Sequence, residues 1–411
     1  MALGQDQGER AAGSRCVLGR RRPDQTGGER GVVQGIDEYA DLDGDRDGQD
    51  VTGCPSYLQP ALTVPLGEPE PCEVLSMPVL LGIRSGGGVF SGYGRAMRSV
   101  RREQAIAYRL RVNNLVERLP VGLHEEAAYV GLQDTAPRDA LLGLHARMAG
   151  CSPADWEHPS LIQTYSPRAA VYVLPLRDFG VFTLGRMPLD SRRIDVLAEN
   201  VCRTLGGQER RGAGIHGLRE ACASGRIAVR WDTTSLWARE VPRPDIDVAD
   251  ARLELCRRHV HCFGPTTPKV FTWWSGMSPA DARAVWDAIA DELVEVDFDG
   301  VPGWVLRDDA DHLWSAEAPR GLRLLAAPDL RLFGRDRDGR FIAPGLRALT
   351  AAADSFHPNG LLIDGRIVGA WGRKGGHVDV VLSEKLGQEQ YDDLCAEVAT
   401  LPVRDPRLSV H

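Results

Sequence analysis

The sequence predicts an α+β chain of tandem winged-helix motifs with a C-terminal antiparallel β-barrel-like unit. Three observations lead there. From about residue 97 onward, helical segments alternate with short strand pairs. A unit of two or three short helices followed by a small hairpin, the winged-helix arrangement, recurs most clearly at 265–307 and also at 190–237 and 98–185. After residue 320 the chain becomes strand-rich, with Asp-Gly turns at 338–339 and 364–365 that suit antiparallel hairpins.

Taken in order, residues 1–96 form a leader of different character. Gly, Asp, Arg and Pro dominate it, the apolar stretches are short and broken by proline, and a disordered segment is expected. The character changes at Met97, which makes that residue an alternative start. The run 97–120 then places Ala105, Tyr108, Val112, Leu115 and Leu119 at helical spacing. A helix over 137–148 carries Leu141, Leu144 and Met148 on one face, and two extended apolar runs, 168–176 and 180–185, follow. A helix near 193–205 and another closed at Gly225 lead into a strand. Past Pro242 come helices at 248–263, 267–276 and 278–293, the last capped by Ser278 with Pro279 at its first position. Asp299-Gly300 then turns a hairpin. The expected divisions are a leader 1–96, winged-helix regions 97–188, 189–247 and 248–318, and a β-unit 319–411.

Composition narrows the function classes. The chain of 411 residues has a net charge of −8, against a strongly basic nucleic-acid protein. The acid is uneven: residues 1–96 hold 9 Arg against 14 Asp and Glu, leaving 40 basic and 43 acidic residues in the remainder. A nearly neutral body can still present one basic face. No run of about 18 apolar residues occurs, so no helix is expected to cross a membrane. The first residues lack the features of a secretory signal, and nine cysteines without a CxxC pattern suit reduced thiols in a cytoplasmic protein.

Several constellations have bland readings that outweigh the sharp ones. Asp43, Asp45, Asp47 and Gly48 open like a calcium loop, but the twelfth position is Cys54, and a solvated acidic turn is expected. SGGGVFSGYG lacks the lysine of a phosphate loop and reads as a linker. Cys256, His259, His261 and Cys262 have metal-ligand chemistry, yet on a helix they do not share a face, so no metal is expected. Trp273 and Trp274 could stack on bases, although at least one should be a core anchor. No GxSxG, HExxH or complete Walker motif is present. Arg335, Arg337 and Arg340 surround a glycine turn and could reach phosphates, with Asp336 and Asp338 interleaved against that reading.

The stretch GLQDTAPRDALLGLHAR (131–147) resembles the opening motif of the winged-helix family of AlkZ/YcaQ-like bacterial DNA glycosylases. Pieces at 166–178, 225–232, 264–276, 323–340 and 360–374 are similar to that family's later elements and stand in the same order. The resemblance implies three tandem winged-helix motifs, a C-terminal β-barrel, a concave surface for double-stranded DNA, and no cofactor. It favours a monomer. It implies that two polar residues hold a water that attacks C1′ of an N7-alkylated, already cationic purine nucleotide or a crosslink adduct, chemistry that needs a placed nucleophile more than a strong acid. Here those positions are Gln133 and Thr135, where the family has a second glutamine or an aspartate. The family's histidine in the strand after Arg168 is replaced by Tyr172. Arg138, Arg147 and Arg168, with Arg335, Arg337 and Arg340, are the expected DNA contacts. Three functions stay open: a glycosylase, a non-catalytic DNA-binding regulator and a protein-interaction scaffold.

Overall fold

In a computed structural model of the chain, residues 97–136, 138–334, 340–342, 346 and 359–411 are described. The leader and the Asp338-Gly339 turn lie outside these residues.

The first helix, α1 (Arg102–Val112), is shorter than its apolar spacing suggests. Asn113 ends it by returning its side-chain amide to the Arg109 carbonyl, and Asn114 turns left-handed at φ 56°. Residues 105–110 are all buried, including Arg109. Its guanidinium donates to the carbonyls of Gly264, Pro265 and Leu332, the bonds that let an arginine lie inside the protein.

Next come the short strand β1 (Leu132–Gln133) and helix α2 (Asp139–Arg147), which is buried at every position. Strands β2 (Leu161–Tyr165) and β3 (Val171–Pro175) complete an antiparallel sheet in the order β1-β3-β2. The run after β3, expected to be extended, is helical at Phe179–Thr183, and all five residues are buried. An apolar run without alternation serves a buried helix as well as a strand, and here packing decides.

Helix α3 (Arg192–Leu205) buries Ile194, Ala198, Val201, Cys202 and Leu205 and closes on Gly206. Strands β4 (Ile227–Trp231) and β5 (Leu236–Glu240) pair with each other in a second sheet, and the short Arg210–Arg211 strand joins the other edge of β5. Helices α4 (Val248–Phe263), α5 (Pro268–Ser275) and α6 (Pro279–Ala288) start on side-chain caps from Asp247, Thr267 and Ser278. Strands β6 (Leu293–Phe298) and β7 (Val301–Leu306) form the expected hairpin. Asp299 and Gly300 both sit at positive φ, 54° and 83°, as a two-residue turn of this type demands. The third sheet gains Ser99–Val100 as a parallel edge against β6, which brings the start of the described chain into a sheet built about 200 residues later.

The C-terminal unit departs from the expected antiparallel barrel. It is an open five-stranded sheet of β8 (Leu322–Leu325), β9 (Asn359–Ile363), β10 (Arg366–Lys374), β11 (His377–Leu382) and β12 (Arg407–Val410), paired in sequence order. The last pair is parallel, because helix α7 (Gln388–Ala399) intervenes and returns the chain in the same direction. Nor is 327–333 a strand. It is a 3-10 helix, with Pro328 near its start.

That 3-10 helix is anchored by Asp329, which accepts two bonds from Arg147 of α2 at 2.6 and 3.0 Å. Both side chains are buried. Removing one partner strands a buried charge, whereas the intact pair contributes little net energy over an apolar one. Arg147→Met should therefore lower the unfolding free energy by about 3–5 kcal/mol in a denaturant titration. Replacing Arg147 with Met and Asp329 with Leu together should recover much of that loss.

Candidate active site

Gln133 ends β1, directly opposite Tyr172 of β3. It is 8% exposed, so its amide must find partners within the protein. Its carbonyl oxygen accepts from the Arg168 guanidinium at 2.7 Å, the Tyr172 hydroxyl at 3.3 Å and the Arg331 guanidinium. Its amide nitrogen donates to the Thr135 hydroxyl. Three donors saturate the oxygen and pin the orientation of the amide.

Each partner arrives for a local reason. Arg168 lies in the tight turn between β2 and β3, where Arg168 and Ala169 both take positive φ, 58° and 54°. Gly276, the left-handed cap of α5, supports that turn, and a Cβ there would stand 3.1 Å from the backbone of Arg168. The Arg168 guanidinium lies 4.6 Å from the centre of the Trp273 ring on α5. Trp273 is 55% exposed, while its neighbour Trp274 is buried, so the pair divides between surface and core. Arg331 is delivered by the 3-10 helix that Asp329 anchors; burial first, and then the nearby Arg168 charge, lower its pKa against the pull of Tyr172.

Thr135 is exposed, whereas Asp134 is fully buried and points elsewhere. Its carboxylate caps α2 through the Ala140 amide at 3.1 Å and accepts from Gln163 at 3.3 Å. Burial outweighs these bonds and lifts its pKa to about 6. Asp139, first residue of α2, is buried too, and its pKa rises to about 7 through burial and then the charge of Asp134. Gln133, Asp139, Arg147, Tyr172, Asp329 and Arg331 all line one small cavity of about 40 Å³. Such a space holds a few waters and is far too small for a purine.

The expected DNA contacts separate. Arg168 sits beside Gln133, as above. Arg138 is half-buried, stacked 3.5 Å over the Trp156 ring and donating to the Trp231 carbonyl. Arg147 is a correction: it is 2% exposed and spends its charge on Asp329, which removes it from any phosphate. Arg340 is exposed beside Glu103, and Arg335 and Arg337 lie outside the described residues. The Cys256–Cys262 cluster also disperses. His259 is buried against Thr266, and His261 pairs with Asp309. Among the described residues no group of three or more His, Cys, Asp or Glu is placed to hold a metal.

Arg331 and Asp139 were not singled out from the sequence. Asp139 reads there as an acid in the first turn of a helix, and Arg331 as one more arginine in an arginine-rich chain. Only the approach of the 3-10 helix to β1 gives both a meaning.

Fold and site together define an α+β protein of several small sheets, with a buried glutamine held by cations over a water-sized cavity. A family model described as DNA glycosylase AlkZ-like matches residues 203–402, a span that holds Trp273 and Arg331 but not Gln133 or Arg168. A curated relative, an interstrand DNA cross-link repair glycosylase of Streptomyces sahachiroi, is 30% identical over 136 residues. That alignment covers 32% of this chain, and the chain spans 36% of the relative's length. The solved DNA glycosylase AlkZ of Streptomyces sahachiroi shares the fold, with a TM-score of 0.63 at 20% identity over 76% of this chain and all of that one. The resemblance to AlkZ/YcaQ-like DNA glycosylases read from the motifs is borne out.

The two raised carboxyl pKa values carry a stability consequence. An Asp whose pKa is higher folded than unfolded binds its proton more tightly in the native state, so stability falls as pH rises from about 4 to the folded value. Asp139→Asn removes that loss while keeping an acceptor for the Ala136 amide. It should raise the unfolding free energy by roughly 1–3 kcal/mol at pH 8 and leave it near wild type at pH 4, in denaturant titrations at both pH values.

Proposed function

We propose that this protein is a monomeric, cytoplasmic DNA glycosylase. It binds duplex DNA through its tandem helix–helix–hairpin units and hydrolyses the glycosidic bond of N7-alkylated, cationic purines or crosslink adducts. The observation that carries this reading is the Gln133 amide, immobilised by Arg168, Arg331 and Tyr172 at a cavity of water size. The hairpins of 227–240 and 293–306, each preceded by helices, supply the repeated unit. Among the described residues no helix is long and apolar enough to cross a membrane.

Pinning the Gln133 oxygen leaves its nitrogen to act. One N–H goes to Thr135, and the other is available to a water oxygen. That donation fixes one lone pair and leaves the second for C1′. Arg168, backed by the exposed Trp273 ring, can reach a backbone phosphate with the N–H groups that Gln133 does not use. Neither Gln133 nor Thr135 ionises, so the leaving group must arrive charged, and uracil or undamaged purines should stay intact. A second reading, a DNA binder without catalysis, draws on the second motif position, where Thr135 supplies one hydroxyl in place of an amide or carboxylate.

Fluorescence anisotropy with duplex DNA should show affinity that falls steeply with salt, by about 0.9 in log–log slope per neutralised phosphate. Incubation with duplex carrying N7-methylguanine, followed by alkali and a gel, should show strand scission. Gln133→Ala should lower excision by a factor of roughly 100 or more with little change in affinity. Thr135→Gln should raise the rate. Binding without scission by wild type and Thr135→Gln alike would establish the binder.

A further inference from the structure

We propose that Asp139 is the general base of this site, taking the proton from the water that Gln133 positions; the inference rests on the hydrolytic reading above. Geometry singles it out from three nearby carboxylates. Asp134 is fully buried, with its oxygens on the Ala140 amide and Gln163. Asp329 is held at both oxygens by Arg147. Asp139 lines the cavity with Gln133, and one of its oxygens takes a long 3.3 Å bond from the Ala136 amide, which leaves lone pairs for a water.

The loop between Gln133 and Asp139 is built for this meeting. The Asp134 amide stays in register with β3 by donating to Val171, while its carboxylate caps α2 six residues on. The chain therefore turns back at once, and the first residue of the helix faces the cavity that the strand end borders. Thr135, on the outside of that turn, is exposed.

Charge supports the assignment. Arg168 and Arg331 stand close to Gln133 and would oppose an oxocarbenium-like sugar unless negative charge lay nearby. A carboxylate beside the water supplies it. In the reaction the water oxygen bonds to C1′ as the C1′–N9 bond breaks. The electron pair of that bond enters the cationic purine, which leaves neutral, and the water proton passes to Asp139 and later to solvent. Burial and the charges of Asp134 and Asp329, opposed by Arg373, hold the Asp139 carboxyl near pH 7, where a base works best; Arg138, Arg147 and Arg331 are the other charges near it.

The test is single-turnover excision of N7-methylguanine from duplex DNA by wild type, Asp139→Asn, Asp139→Glu and Gln133→Ala between about pH 5.5 and 8.5, with DNA affinity and thermal unfolding measured alongside. Wild type should slow about tenfold per pH unit below about 7, since only the carboxylate accepts a proton. Asp139→Asn should lose roughly 100-fold at pH 8, bind DNA as wild type does, and show no acid limb; Asp139→Glu should regain part of the rate with the limb. A wild-type rate and limb in Asp139→Asn, with Gln133→Ala inactive, would overturn the base while the glycosylase reading stood. Should Asp139→Asn fail to fold, a wild-type rate that does not fall between pH 7 and 5.5 overturns it equally. No excision by wild type at any pH would overturn the glycosylase reading, and this inference with it.

Discussion

The buried pair of Arg147 and Asp329 is the tie on which the site depends. Arg147 closes α2, whose first residue is Asp139, and Asp329 lies two residues before Arg331. One bidentate contact thus sets the distance between the helix that carries a carboxyl and the 3-10 turn that carries a cation. Both must meet the same glutamine side chain or its cavity. A bidentate arginine fork allows little sliding. Its fixed geometry, more than its energy, is what this position requires, because the net gain of a buried pair over an apolar contact is small.

Around that tie the site follows a consistent rule: polar groups are buried only where another polar group specifies them. Gln133 is inside because three donors converge on its oxygen. Asp134 is inside because a helix start needs an acceptor. Asp139 is the exception, a buried carboxyl with one weak bond and a raised pKa. Groups held at such a cost to stability concentrate where chemistry needs them.

Much of the fold was legible in the sequence because its signals are local. The caps at Thr267 and Ser278 mark helix starts, and the Asp-Gly pairs at 299–300 and 364–365 turn hairpins with both residues at positive φ. What stayed hidden is set by distant packing. The run after β3 is as apolar as a strand and becomes a helix only because of what surrounds it. The open, partly parallel C-terminal sheet depends on α7, whose N-cap is Gly387 and whose start is marked only by the Gln390 side chain accepting from the Gly387 amide. For the site, the motif at 131–147 pointed to Gln133 and Thr135 and the later piece at 166–178 to Arg168, but spacing alone could not distinguish Arg147, buried on an aspartate, from an arginine on the surface. Asp139 and Arg331 had no signal beyond residue type, since their role is a matter of which remote segment they face.

Arg109 has a bearing on how the chain is made. Its guanidinium lies within the protein, and the carbonyls that receive it belong to Gly264, Pro265 and Leu332, the last 223 residues further along. During synthesis at about 5–20 residues per second, Arg109 is polymerised some 10–45 s before Leu332. For most of that interval α1 lacks these carbonyls and the β6 edge that pairs with Ser99–Val100. The earliest part of the described body is therefore among the last to find its place, because its full set of partners exists only once the chain has been made through Leu332.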